Sequence, residues 1–76
     1  PKKNEVDIVN AEGIPIEIKY QSHIMPSDQK NIIKFSNKFN KNKGILVTKD
    51  HLDKQVIDDI EITRIPSWLF LLTEKN

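Results

Sequence analysis

The chain has 76 residues, a net charge of +1 at pH 7 and no cysteine. This length allows one domain with a thin hydrophobic core, and the lack of cysteine excludes disulfides, thiolate metal sites and a thiol nucleophile. The small net charge excludes a global electrostatic attraction between this chain and nucleic acid.

Two segments near the start of the chain alternate between apolar and polar residues, which is typical of half-buried β-strands. They span residues 5–9 and 14–21. Residues 11–13 join them as a three-residue hairpin loop, and glycine at the last loop position suits the positive φ needed there. Pairing Ile8 with Ile16 keeps the apolar side chains of an antiparallel pair on one face.

The same register places charged side chains on the other face of the hairpin. Asp7 lies opposite Glu17, and Lys19 follows Glu17 on the same side of its strand. Opposed carboxylates repel, and a hard divalent cation such as Mg²⁺ would remove that repulsion. A nearby lysine would stabilise negative charge on an attacked phosphate. The alternative is a charged face that contacts only solvent, where Glu5 and Lys19 form a weak surface pair.

Residues 27–39 are predicted to form a helix with Ser27 as its N-cap and an apolar stripe of Ile32, Phe35 and Phe39. We expect this stripe to pack on the apolar face of the hairpin. A row of lysines lies on another side of this helix. It indicates either a basic ridge that binds the phosphate backbone of nucleic acid or simply the solvated side of an amphipathic helix. The lysines on this side are Lys30, Lys34 and Lys38, and Lys41 continues their spacing just past the helix.

The second half of the chain continues with strand and helix patterns. Residues 44–48 are a continuous apolar run, typical of a strand covered on both faces, and a strand–helix–strand unit should make it parallel to the second hairpin strand. Residues 51–59 predict a loop or a short turn of helix, and residues 60–65 predict a strand at the sheet edge. Pro66 suits the start of a final short helix.

These elements predict an α/β domain with a small mixed β-sheet. It contains an antiparallel hairpin, a crossover helix, a parallel strand, an edge strand and a short C-terminal helix. Because the chain begins without Met, directly before a strand, we expect residues 1–76 to be one domain and a C-terminal fragment of a longer protein. We also expect it to be cytoplasmic, because it has no cysteine and nothing that resembles a signal peptide. We expect no membrane partner, since its longest apolar run is far too short to cross a bilayer.

The order of an Asp, a hairpin and then Glu-x-Lys resembles the PD-(D/E)XK nuclease superfamily. Asp7 matches the Asp, Glu17-Ile18-Lys19 matches the E-x-K, and Gln21 stands where some members carry a supporting Gln. Four segments, at residues 5–9, 15–19, 43–50 and 65–69, resemble an uncharacterised C-terminal domain that follows the ATPase module of archaeal and bacterial AAA-type ATPases. The resemblance implies a trimmed restriction-endonuclease-like core.

The resemblance leaves two functions open, because a fold does not fix a function. The first is a nuclease or a nuclease-derived DNA-binding domain. Asp7 and Glu17 would hold Mg²⁺ or Mn²⁺, Lys19 would support charge at the scissile phosphate, and Gln21 or Glu5 would orient water. The second is a non-catalytic accessory domain of an AAA-type ATPase, which binds the ATPase module or a second copy through residues 68–72, from Trp68 to Leu72.

Overall fold

The computed structural model describes residues 6–73, so the predicted role of Glu5 lies outside the described residues. The elements are β1 (Ile8–Val9), β2 (Pro15–Ile18), a 3-10 turn (Pro26–Gln29), α1 (Lys30–Phe39), β3 (Lys43–Thr48), β4 (Asp53–Ile57), β5 (Ile60–Pro66) and α2 (Ser67–Thr73). The strands form one mixed five-stranded sheet in the order β1-β2-β3-β5-β4. The α/β class, the mixed sheet and the short C-terminal helix confirm the sequence prediction.

The hairpin of β1 and β2 has the predicted register, with Ile8 opposite Ile16. Gly13 adopts a φ of 81°, and its N–H donates to the carbonyl of Asn10 at 2.9 Å. The side-chain oxygen of Asn10 also accepts the N–H of Ile14 at 2.9 Å. Asn10 and Gly13 therefore close the three-residue loop and fix the alignment of the two strands.

Helix α1 lies on the face of the sheet that carries Glu17, so the prediction that it covers the isoleucine face is wrong. The Asn31 side chain on α1 reaches Glu17, whereas Ile18, on the opposite face, is 44% exposed. The physical reason is at Gly44 on β3, which shares the Glu17 face. A Cβ at Gly44 would collide with Cγ2 of Ile32, so the missing side chain is what lets α1 approach the sheet there.

The buried line of α1 also differs from the predicted stripe. Ile32 and Ser36 are fully buried, whereas Phe39 is 51% exposed. Its ring packs at a tilt against that of Phe35, with ring centroids 4.6 Å apart. A turn of helix brings residues four apart onto one side, so small Ser36 faces the sheet and the two rings lie at the margin.

The first residues of the predicted helix form a tighter 3-10 turn, and α1 itself begins only at Lys30. Pro26–Gln29 is a 3-10 turn, and the N–H of Met25 donates to Oδ2 of Asp28 at 2.8 Å. Ser27 is therefore inside the turn and is not the N-cap. At the other end of α1, Asn40 adopts a left-handed φ of 60° and terminates the helix.

The order of the last strands corrects two predictions. β3 is parallel to β2, as expected, but β5 is not an edge strand because it lies between β3 and β4. Residues 53–57, within the stretch predicted as a loop or helical turn, form the edge strand β4. A two-residue turn joins β4 to β5, and both of its residues, Asp58 and Asp59, have positive φ values of 53° and 66°.

Side chains are buried on both faces of the sheet. Beneath α1 the core cluster consists of Ile32, Leu46, Ile60 and Ile62. On the opposite face Ile16 and Val47 are buried, and α2 contacts β3 and β5. The hairpin of β1 and β2, with the residues predicted to bind metal, lies at one edge of the sheet, and β4 forms the opposite edge.

Candidate functional site

Asp7 and Glu17, the two residues predicted to bind metal, are joined across the β1–β2 hairpin by a hydrogen bond. The backbone N–H of Asp7 donates to Oε1 of Glu17 at 3.2 Å. The backbone N–H of Ile18 donates to Oδ2 of Asp7 at 2.9 Å. Each carboxylate therefore accepts a hydrogen bond from the opposite segment, and this fixes both side chains. Metal binding by the pair stays a prediction.

Glu17 is buried beneath α1, although glutamate is rarely buried. It is 6% exposed, and its Oε2 accepts a hydrogen bond from Nδ2 of Asn31 at 3.4 Å. The sequence analysis did not identify Asn31. Asn31 directly precedes the buried Ile32, so it lies at the margin of the buried side of the helix. That position is the feature of the sequence that could have indicated a contact between Asn31 and the sheet. Asn31 is therefore a third residue of this site.

Lys19 remains on the same side of the chain as Glu17. Its backbone N–H donates to the carbonyl of Val47 at 2.7 Å, so it continues the parallel alignment with β3 and the alternation of side chains along β2. No ion pair joins Lys19 to Asp7 or to Glu17 within residues 6–73. Lys19 thus follows Glu17 on the same side of the strand, but its ammonium group forms no ion pair with Asp7 or Glu17.

Gln21 is not aligned with the other predicted site residues. Its backbone N–H donates to the carbonyl of Lys19 at 2.8 Å, which makes a tight turn around Tyr20 and ends the extended chain. Its side-chain Nε2 donates to the carbonyl of His23 at 3.2 Å. The alternation predicted as far as residue 21 therefore fails after Lys19.

The donor set of this pair suits a hard divalent cation. An ionised carboxylate has about four lone-pair sites, and the hydrogen bonds to Asp7 and Glu17 leave some of them available. Mg²⁺ takes one or two protein carboxylates and completes its shell with water and phosphate. No group of three or more His, Cys, Asp or Glu side chains arranged to hold a metal occurs within residues 6–73. The pair therefore fits Mg²⁺ or Mn²⁺ better than a closed structural zinc site.

The lysines predicted to contact nucleic acid are exposed along α1, at Lys30, Lys34 and Lys38. Lys34 is three residues after Asn31, so these two side chains are neighbours on the helix surface. The Nζ atom of Lys38 lies 5.4 Å from the ring centroid of Phe39, a cation–π contact. Positive charge therefore lines the side of α1 next to the Asn31–Glu17 contact. Nucleic-acid binding stays a prediction.

A separate ion pair connects the last two strands. Nε and Nη2 of Arg64 donate to the two carboxylate oxygens of Asp53, each at 2.6 Å. These hydrogen bonds hold the pKa of Asp53 below its ordinary value and raise the pKa of Arg64. The pair is bidentate, which is the strongest arrangement of these two side chains.

Helix α2 exposes much of its apolar surface. Trp68 is 61% exposed, Leu71 is 67% exposed and Leu72 is 58% exposed, and none of the residues of α2 is fully buried. No helix in residues 6–73 combines the length and the apolar character that crossing a membrane requires. These exposed side chains belong to residues 68–72, the segment predicted from the sequence to contact a partner.

Comparisons of the chain with protein-family models, with curated proteins and with solved structures found no match. The resemblance to the PD-(D/E)XK superfamily stays a prediction.

Proposed function

We propose that this is a nuclease-like domain, attached to an ATPase in its parent protein, that binds a divalent metal and the phosphate backbone of nucleic acid. The observation that supports this most directly is that the carboxylates of Asp7 and Glu17 each accept a backbone N–H from the opposite segment of the hairpin. Both side chains are therefore fixed, and neither forms an ion pair with Lys19 within residues 6–73. A restriction-endonuclease-like core, implied by the sequence resemblance, is part of the same proposal.

Each residue of the site has a distinct role in this proposal. Asp7 and Glu17 hold the metal, and Asn31 orients Glu17 through its hydrogen bond. Bound Mg²⁺ or Mn²⁺ would supply Lewis-acid activation of the phosphate and of water. Lys19 stabilises the negative charge that develops on the phosphate. Lys34 and its neighbours on α1 attract the nucleic-acid backbone.

Metal binding is tested by NMR titration of the labelled domain with Mg²⁺ and Mn²⁺. The amide signals of Asp7 and Ile18 report directly on the two carboxylates, because each N–H donates to one of them. We expect both signals to shift at millimolar metal. Asp7→Asn and Glu17→Gln keep an oxygen acceptor and remove the charge, so they should abolish the shifts.

Glu12→Gln is the matched control, since Glu12 lies in the exposed hairpin loop. This variant should bind metal as the original chain does. If millimolar Mg²⁺ and Mn²⁺ leave the signals of Asp7 and Ile18 unchanged, or if Glu12→Gln weakens binding as much as Asp7→Asn does, the proposed metal site is wrong.

Hydrolysis is tested on the parent protein with single-stranded, duplex and branched DNA and with RNA. We expect metal-dependent cleavage that Lys19→Ala lowers about 100-fold, the scale of losing one group that stabilises transition-state charge. Metal-dependent binding without cleavage would instead identify a nuclease-derived binding domain. Cleavage that persists in both Lys19→Ala and Asp7→Asn would exclude this site as its source.

The exposed surface of α2 favours a second candidate, a non-catalytic interaction domain of an AAA-type ATPase. Three large side chains of one short helix, Trp68, Leu71 and Leu72, are more than half exposed, and contiguous exposed apolar surface often marks a protein contact. In this candidate α2 binds the ATPase module or a second copy of the domain.

This second candidate predicts association that depends on α2. In sedimentation experiments with the domain alone and with the ATPase module, Trp68→Ala should weaken binding. Leu52→Ala, at an exposed apolar residue outside α2, is the matched control and should not. A domain that stays monomeric and does not bind the ATPase module would contradict the candidate.

A further inference from the structure

The edge strand β4 has one unpaired side. Within residues 6–73 it pairs with β5 alone, at the end of the sheet. Ile57 and Ile60 flank the two-residue turn and so form a hydrogen-bonded pair. In an antiparallel ladder the alternate residues, here Lys54 and Val56, then direct their backbone N–H and C=O groups away from β5. Such an edge is a template for another strand.

A cavity of about 130 Å³ opens beside β4, on the face that α1 covers. An apolar cavity of roughly 150 Å³ holds a benzene molecule, so this one has room for one side chain. Its lining combines apolar and polar groups from the 3-10 turn, β4 and β5. The residues that matter here are Ile24, Met25, Gln29, Gln55, Ile57 and Arg64.

One hydrogen-bonding atom in the lining has no partner. Gln29 is 2% exposed, and its Nε2 donates to Oε1 of Gln55 at 2.8 Å. Its Oε1 is buried and accepts no hydrogen bond from the described residues. Exchanging the oxygen and nitrogen of both amides would only transfer the unmet bond to the Gln29 nitrogen. Since such groups are uncommon in folded proteins, the unmet hydrogen bond is a reason for this amide to turn toward a ligand that enters the cavity.

The charge of the lining selects a neutral ligand. Arg64 is the charged residue of the cavity, and its guanidinium is already bound by both carboxylate oxygens of Asp53. An acidic side chain of a ligand would compete with Asp53 for the Arg64 guanidinium. A basic side chain would be repelled by the positive charge of Arg64. A primary amide is neutral and carries both a donor and an acceptor, so it matches Gln29 in either orientation.

We propose that β4 binds an extended peptide segment of a partner protein as an added strand, with an Asn or Gln side chain of that segment in the cavity. A residue opposite Gln55 on the added strand directs its side chain to the same face as Gln55, which is the face of the cavity. Backbone bonds to Lys54 and Val56 supply affinity, and the cavity supplies specificity, as in other cases of strand addition.

The test uses NMR titration of the labelled domain with a capped synthetic peptide of alternating threonine and valine that has one central glutamine. We expect shifts at the amides of Lys54 and Val56 and at the side-chain amides of Gln29 and Gln55. Peptides with a central alanine or glutamate should bind about tenfold more weakly, the scale of one hydrogen bond left unmade.

Two variants separate the edge from the cavity. Val56→Pro removes an outward N–H that β5 does not use, a position where an edge strand tolerates proline, and it should abolish binding. Gln29→Met keeps the volume of the side chain and should remove the preference for glutamine over alanine. Equal shifts at Ile8 and Val9 on the opposite edge, shifts that depend on protein concentration alone, or no shifts at millimolar peptide would overturn the proposal.

Discussion

The carboxylates of Asp7 and Glu17 each accept a backbone hydrogen bond across the hairpin, where the backbone ladder of β1 has ended. β1 contains only Ile8 and Val9, and beyond it the Asp7 carboxylate accepts the N–H of Ile18 at 2.9 Å. Glu17 in turn accepts the N–H of Asp7 at 3.2 Å. The acids therefore contribute to the hairpin itself, and a test of their chemistry must keep their oxygen acceptors.

The first prediction concerns the stability of Asp7 variants without metal. Asp7→Ala leaves the N–H of Ile18 without its acceptor, so the free energy of unfolding should fall by about 0.5–1.5 kcal/mol. Asp7→Asn keeps an oxygen and removes one of two adjacent negative charges, which repel by about 0.2–1 kcal/mol. It should therefore be as stable as the original chain or slightly more stable. Urea unfolding in the presence of a chelator measures both.

A different ranking would be informative. If Asp7→Asn is destabilised as much as Asp7→Ala, the negative charge of Asp7 is itself stabilising in the metal-free domain. The carboxylate pair would then be a structural feature that needs no metal.

The second prediction concerns the contact between β3 and α1. A Cβ at Gly44 would overlap Cγ2 of Ile32, and both residues are in a packed interior. Gly44→Ala should lower the free energy of unfolding by about 1–3 kcal/mol, the usual effect of overpacking. The double variant with Ile32→Ala should lose less than the sum of the two single variants, because the second change removes the overlapping atom. Additive losses would show that α1 does not approach β3 at Gly44.

The sequence predicted the parts of the fold that local rules control. The loop that ends in Gly13 fixed the register of the hairpin, and the crossover rule made β3 parallel to β2. Two things required information from the whole sheet. Alternation in β2 identified two faces, but the packing of Ile32 against Gly44 decided which face α1 covers. This is why Glu17 is buried and contacts Asn31.

Strand β4 was missed because its residues give a weak signal. Asp53, Lys54 and Gln55 are polar, and as an edge strand β4 buries little apolar surface, so its pattern is that of a loop. The turn into β5 is also atypical. Two residues with positive φ are usually Asn-Gly or Asp-Gly, whereas here they are Asp58 and Asp59.

The third prediction follows from that turn. Asp59 has a φ of 66°, a left-handed conformation that costs non-glycine residues about 1–2 kcal/mol and glycine much less. After the larger chain entropy of glycine is counted, Asp59→Gly should raise the free energy of unfolding by about 0.5–1 kcal/mol. Thermal or urea unfolding measures the change.

Asp59→Ala is the matched control, because it removes the same charge without relieving the backbone. It should not stabilise the protein. Equal stabilisation by glycine and alanine would show that repulsion between Asp58 and Asp59, not the positive φ, is the unfavourable feature of this turn.

The fourth prediction concerns acid pH and the pair of Asp53 and Arg64. The two hydrogen bonds from Arg64 hold the pKa of Asp53 below its ordinary value of 3.8. A carboxylate whose pKa is lower in the folded state stabilises the protein above its unfolded pKa, and this contribution is lost as the pH falls through the folded value. Asp53→Asn should therefore be less stable than the original chain near pH 6, and the difference should shrink as the pH falls below 3.8.

Urea unfolding of both proteins across this pH range measures that difference. Glu12→Gln, at an exposed position of the hairpin loop, provides the baseline. The contribution should be modest, since the side chain of Asp53 is 45% exposed and solvent screens the pair. A difference between Asp53→Asn and the original chain that is the same at both ends of the range would mean that Arg64 is not bound by an ionised Asp53 in solution. The neutral lining inferred for the cavity beside β4 would then also be wrong.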